Sequence, residues 1–181
     1  YTVNVDHGRI LATLLPGCGA GLTLTVTVGG QVSTAATPSA AVVSYPAPSV
    51  VAVRSPTGAT YNATALSTLG GQALVVEGAN FGPATAAGGA PLPLLVSYTD
   101  ATSVFTYTMT CAKGGSPHTA AECTTAPGVG ARFTLTATVC GQASGAVSPG
   151  VSYAPPTVSD VTGPGADRAS TEGGQLVTVL G

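Results

Sequence analysis

The sequence predicts an all-β protein assembled from β-sandwich units in tandem, and three observations carry the prediction. The first is alternation. Leu22, Leu24, Val26 and Val28 alternate with Thr23, Thr25 and Thr27, and Phe133, Leu135, Ala137 and Val139 alternate with Thr134, Thr136 and Thr138. A period of two places the apolar set on one face of a strand and the threonines on the other. β-branched threonine suits the solvent side, where its methyl packs and its hydroxyl stays wet. The second is punctuation: 25 glycines and 14 prolines in 181 residues fall between these runs, where turns need them. The third is recurrence. Pro127–Pro156 aligns on Pro16–Pro48 at an offset of 111, with Thr-Leu-Thr on Thr-Leu-Thr and Gly-Gln on Gly-Gln, and the offset shortens to 108 at Tyr153 and Tyr45. Gly70-Gly71-Gln72 returns as Gly173-Gly174-Gln175 at an offset of 103. A period of roughly 105 to 110 residues is too long for a solenoid repeat and matches a β-sandwich domain.

Taken in order, residues 1–6 alternate as a strand remnant, a turn follows at His7-Gly8, and Ile10 to Leu15 continue the pattern. The Pro16-Gly17-Cys18-Gly19 turn leads into the predicted strand Leu22–Val28. Ser44-Tyr45-Pro46-Ala47-Pro48 reads as a junction, because prolines at alternate positions stiffen the chain and stop strand pairing. Beyond it, Val50, Val51 and Val53 open a new unit. A loop runs from Ser55 to Leu69, and Gln72–Glu77 forms a strand closed by the turn Gly78 to Pro83. A small-residue loop, Ala84–Pro93, precedes strands at Leu94–Tyr98 and Phe105–Met109. Cys111 and Cys123 bracket a Gly/Pro loop, Phe133–Val139 is the last strong strand, and Tyr153-Ala154-Pro155-Pro156 is a second junction. The expected division is residues 1–45 as the C-terminal part of one unit, 46–154 as a complete unit, and 155–181 as the N-terminal part of a third. The chain opens inside a strand pattern with no signal-peptide character, so the start of the gene product is expected elsewhere.

Charge is scarce. Lys and Arg number five, Asp and Glu seven, and the net charge is −2. The cationic footprint that phosphate neutralisation demands is missing, which excludes nucleic acid as a partner. The apolar runs are too short to span a bilayer as a helix, so a membrane anchor is not expected in this segment.

Pro48-Ser49-Val50, the stretch GGQALVVEGANFG, a cysteine ahead of Ala126-Pro127-Gly128-Val129-Gly130, and a last strand ending in SYAPP together resemble the IPT/TIG family. Its domains occur in plexin-type receptors, some transcription factors and large extracellular proteins. The resemblance covers the chain once completely and twice in part. It implies an immunoglobulin-like, E-set type β-sandwich with Greek-key connections. It does not imply one function. The transcription-factor branch is set aside by the few scattered basic residues and by disulfides, which a nucleus does not sustain.

Cys111 and Cys123 lie in one unit and flank a short loop, so a local disulfide is expected. A metal there would need further Cys or His, and only His118 is near. Cys18 and Cys140 sit at the start of one unit's last strand and the end of the next unit's last strand. A distance beyond the Cα limit for a bridge is expected, leaving them free, or paired outside the segment or with another chain. Asn62-Ala63-Thr64 is an N-glycosylation sequon. Thr23, Thr25, Thr27, Thr134, Thr136 and Thr138 are candidate O-glycosylation positions or plain strand faces.

Catalysis finds little support. Asp6, Glu77, Asp100, Glu122, Asp160, Asp167 and Glu172 are widely spaced, and neither His7 nor His118 has a nucleophile in triad order. No enzyme activity, no metal and no cofactor beyond covalent glycans is expected. The functional expectation is an extracellular or cell-surface glycoprotein stalk or fibril. Its partners would be neighbouring units of the same or identical chains, forming a homopolymer or filament. The alternative is a receptor or adhesin ectodomain for a protein or glycan. Only Tyr98, Phe105 and Tyr107 would serve such recognition, and their spacing suits strand packing instead.

Overall fold

The computed structural model describes residues 2–3, 9–34, 42–56, 63–102 and 104–181. Every regular element among them is a strand. Six short strands come first: β1 (Thr2–Val3), β2 (Ile10–Leu11), β3 (Leu22–Thr23), β4 (Thr27–Val28), β5 (Gln31–Val32) and β6 (Val42–Val43). The main body holds β7 (Ser49–Arg54), β8 (Ala73–Ala79), β9 (Leu95–Thr99), β10 (Thr106–Ala112), β11 (Ala120–Thr124), β12 (Phe133–Val139), β13 (Gln142–Ala143) and β14 (Val147–Val151). β15 (Asp160–Thr162) and β16 (Thr178–Leu180) end the chain.

The main body is one antiparallel sheet of eight strands in the order β13-β12-β9-β10-β11-β8-β7, with β14 also on β12. It curls until β14 packs against β7, so the two ends of the sheet enclose a single core. Residues 63–66 help close that side: Leu66 N–H donates to Ser152 O, Ser152 N–H to Ala63 O, and Ala154 N–H to Leu66 O, all at 2.8–2.9 Å. The alternation read from sequence produces this core. Phe133, Leu135, Ala137 and Val139 are buried while Thr134, Thr136 and Thr138 face outward, half-buried. Leu74, Val76, Val96, Tyr98 and Met109 join from neighbouring strands.

Two close approaches explain residues that periodicity does not. A Cβ on Gly78 would lie 1.9 Å from the Ser49 carbonyl oxygen, so β8 reaches β7 only without a side chain there. β7 carries a register shift between Val50 and Ala52, and Val51 turns outward, 72% exposed, while Val50 is buried.

The structure differs from expectation in three places. The predicted strand Leu22–Val28 is split into β3 and β4, and all four of its apolar residues are exposed. Its counterpart β12 is held on one edge by β9 and on the other by β13 and β14. The N-terminal stretch has only β5 and β6 as described partners. β11 lies where sequence suggests the end of a tied loop; its one-sided alternation (Ala121 and Cys123 buried, Glu122 exposed) spans only five residues. β13 and β14 continue past the last strong strand, too short and too interrupted by Gly and Pro to signal themselves.

A candidate joint between structural units

The same contacts occur twice in the chain, shifted by the offsets seen in the sequence. Tyr45 Oη donates to Leu15 O at 2.6 Å, and Tyr153 Oη donates to Ala126 O at 2.7 Å. Tyr45 N–H meets Gly19 O, and Tyr153 N–H meets Gly130 O. Gly21 N–H donates to Ser44 Oγ and Arg132 N–H to Ser152 Oγ; Val26 N–H donates to Ser33 Oγ and Ala137 N–H to Ser144 Oγ. Leu22 pairs with Val43 as Phe133 pairs with Val151. At the 103 offset, Gln72 Oε1 accepts from Ser67 N–H as Gln175 Oε1 accepts from Ser170 N–H. β15 pairs with β16 through Val161 and Val179, as β7 pairs with β8 through Val53 and Val76.

Between the first set of contacts and the main body lies a joint. On one side are the Pro16–Gly19 turn and Tyr45–Ala47. On the other is the β12–β13 turn, Cys140-Gly141, with the Asn80–Gly82 turn beside it. Cys140 and Gly141 both have positive φ (48° and 77°), the two-residue hairpin geometry that matches strand twist. Gly29-Gly30 makes the same turn between β4 and β5. Gln142 bridges the two sides with both ends of its amide: Oε1 accepts from Gly19 N–H at 3.1 Å, and Nε2 donates to Tyr45 O at 3.1 Å. Asn80, also left-handed at φ 61°, donates from Nδ2 to Ala47 O at 3.0 Å.

A disulfide joins Cys18 to Cys140 across this joint, with Cα atoms 5.8 Å apart. This corrects the expectation that Cys18 and Cys140 are too far apart to bridge and are free or paired elsewhere. The expectation put more than a domain length between the start of one last strand, at Cys18, and the end of the next, at Cys140. In the structure the Pro16–Gly19 turn, held by Tyr45 N–H on Gly19 O, lies directly against the β12–β13 turn, and a Cβ on Gly19 would fall 3.6 Å from Cys140 Cβ; only the short Pro46–Pro48 stretch separates Tyr45 from β7. Gly82 permits the approach: a Cβ there would lie 3.1 Å from Cys18 Cβ. Lys113 fixes that turn from below, donating from Nζ to Phe81 O at 2.7 Å and Pro83 O at 2.9 Å, and burial holds its pKa below the usual lysine range. The joint leaves an open recess of about 140 Å³ lined by Pro16, Tyr45, Asn80 and His118 among others.

Cys111 and Cys123 are bonded to each other, directly opposite across β10 and β11 with Cα atoms 4.0 Å apart. No described cysteine is free. Two disulfides in one short chain fit an oxidising compartment. Asn62 lies outside the described residues, as do Asp6 and His7. Thr23, Thr25 and Thr27 are exposed, and Thr134 is engaged, its Oγ1 donating to Thr99 O at 3.2 Å. Among the described residues no group of three or more His, Cys, Asp or Glu is placed to hold a metal ion.

At the far end of the main body Tyr98, Tyr107, Phe133 and Tyr153 form an aromatic cluster, most pairs edge-to-face with centroids 5.3–6.2 Å apart. The Tyr98 and Tyr153 hydroxyls meet at 2.5 Å, and burial, together with that contact for Tyr153, raises the pKa of both.

Gln142, Asn80 and Gly82 are the joint residues that the sequence alone does not mark as such. The Gly-Gln recurrence at residues 30–31 and 141–142 was the available signal. In the sequence alone it marks only the repeat.

The fold and joint define an all-β protein of the β-sandwich class. No protein-family model, curated protein or solved structure matches the chain.

Proposed function

We propose that the chain is a segment of an extracellular or cell-surface structural glycoprotein, a stalk or fibril whose immunoglobulin-like, IPT/TIG-like units act as spacers and self-association modules. The supporting observation is the joint. Two successive sets of the same contacts are coupled through a disulfide, a two-ended glutamine bridge and a proline-stiffened connection. A chain built this way holds consecutive units at a set angle, which suits a spacer. The sparse charge fits the same reading, because glycans at Asn62 and on the exposed threonines would keep so uncharged a surface in solution. The role is non-enzymatic, and its partners are other units of the same or identical chains.

The test is intact mass of the protein from its native source, before and after enzymatic and chemical deglycosylation, with electron microscopy of the same sample. Excess mass at Asn62 and at Ser/Thr sites, with filaments in view, supports the proposal. An unmodified monomer with four reduced thiols refutes both the fibril and the extracellular assignment.

A further inference from the structure

The two disulfides sit in different surroundings. Cys123 is 1% exposed within the core, and its partner Cys111 packs against that core. Cys140 is exposed at the tip of the β12–β13 turn, and Cys18 is half-buried beside it. Thiol–disulfide exchange needs a thiolate to reach a sulfur, so access decides which bond reacts first.

We propose that Cys18–Cys140 is a thiol-addressable latch that fixes the first unit against the main body, and that its opening turns the joint into a hinge. Apart from the bond, three direct side-chain hydrogen bonds hold the joint among the described residues: the two that Gln142 makes, and the exposed one from Asn80 to Ala47 O. The described leucines and valines of residues 14–28 do not add a buried face, since Leu14, Leu15, Leu22, Leu24, Val26 and Val28 are all more than 40% exposed. Hydrogen bonds near solvent exchange readily with water, so the covalent bond is what keeps the orientation unique. Opening proceeds by two exchanges. A small-molecule thiolate attacks one sulfur, forms a mixed disulfide and expels the other cysteine as thiolate. A second thiol then releases the remaining cysteine. The reductant ends as its own disulfide, and the protein disulfide takes up two electrons and two protons. Cys111–Cys123 stays closed, so the main body keeps its fold while the joint loosens. The inference rests on the geometry of the joint and stands apart from the fibril reading.

The test is graded reduction of the full chain with dithiothreitol, followed by alkylation and peptide mass mapping. Hydrogen exchange at the Gly19 amide and small-angle X-ray scattering are read on the same samples. Cys18 and Cys140 are expected to label at a dithiothreitol concentration at least about tenfold below that for Cys111 and Cys123. At that point protection of Gly19 is lost, the largest dimension changes, and the thermal transition of the main body persists. A Cys18→Ser, Cys140→Ser double variant shows the same open dimensions without reductant, whereas Gln142→Ala with the bond intact stays closed. Simultaneous labelling of all four cysteines overturns the proposal. So does a reduced chain that keeps Gly19 protection and its original dimensions.

Discussion

Raising the pH through the tyrosine range is a direct test of how the main body is held at its aromatic end. Tyr98 is fully buried and Tyr153 is 3% exposed, with their hydroxyls 2.5 Å apart. Tyr153 Oη also donates to Ala126 O at 2.7 Å, and Ala126 N–H donates to Tyr98 Oη at 3.2 Å. A phenolate in this position would lose its water, and one of the pair would face the other's lone pairs. Both pKa values are therefore raised by burial, that of Tyr153 further by its contact with Tyr98. The sign follows from linkage. Above the unfolded tyrosine value near 10, the unfolded chain releases protons that the folded chain retains, so stability is complete below about pH 10 and falls above it. The slope is about 1.4 kcal/mol per pH unit for each tyrosine held neutral, hence about 2.7 kcal/mol per unit while both are. The assay is urea unfolding monitored by far-UV circular dichroism at half-unit intervals from pH 8 to 11.5, with absorbance at 295 nm reporting phenolate. Stability should be flat to about pH 9.5 and then drop with that slope, and Tyr153→Phe should halve it. Flat stability across pH 10 to 11, with all tyrosines ionising normally in the folded chain, would refute the reasoning.

Other expectations follow from the same packing. Phe133→Ala removes a fully buried ring in contact with three tyrosines, and should lower stability by about 3–5 kcal/mol, read as a shift in the urea midpoint. Gly78→Ala forces a Cβ onto the Ser49 carbonyl; a loss of about 1–3 kcal/mol or more is expected, with weakened exchange protection in β7 rather than β12. Replacing Cys111 and Cys123 together by Ser should cost about 3 kcal/mol on the chain-entropy account, measured by thermal unfolding.

How much of this was legible in the sequence depends on how local each signal is. β12 was plain, because seven residues alternate without interruption and the structure buries every other one. Leu22–Val28 carries the same alternation but stays exposed and split. Alternation states what a face would bury, and the partner strands decide whether it does. The Cys111–Cys123 bond was legible because its partners are near in sequence and joined by one turn. Cys18–Cys140 was not, since its geometry depends on two distant turns meeting, and 122 residues separate the pair. The joint residues Asn80 and Gln142 look like ordinary turn residues, and only their distant partners give them a role.

That long separation also governs how the chain would carry mechanical load. A pull applied before Cys18 and after Cys140 passes from one sulfur to the other. Everything between them, including β7 to β12, lies off the path of tension. Roughly 400 Å of contour is sequestered in this way, at about 3.4 Å for each of the 122 residues. Stretching a single oxidised molecule should therefore unravel only the segments outside the bond. Adding reductant should release that hidden length when the strands between the two cysteines come under tension for the first time.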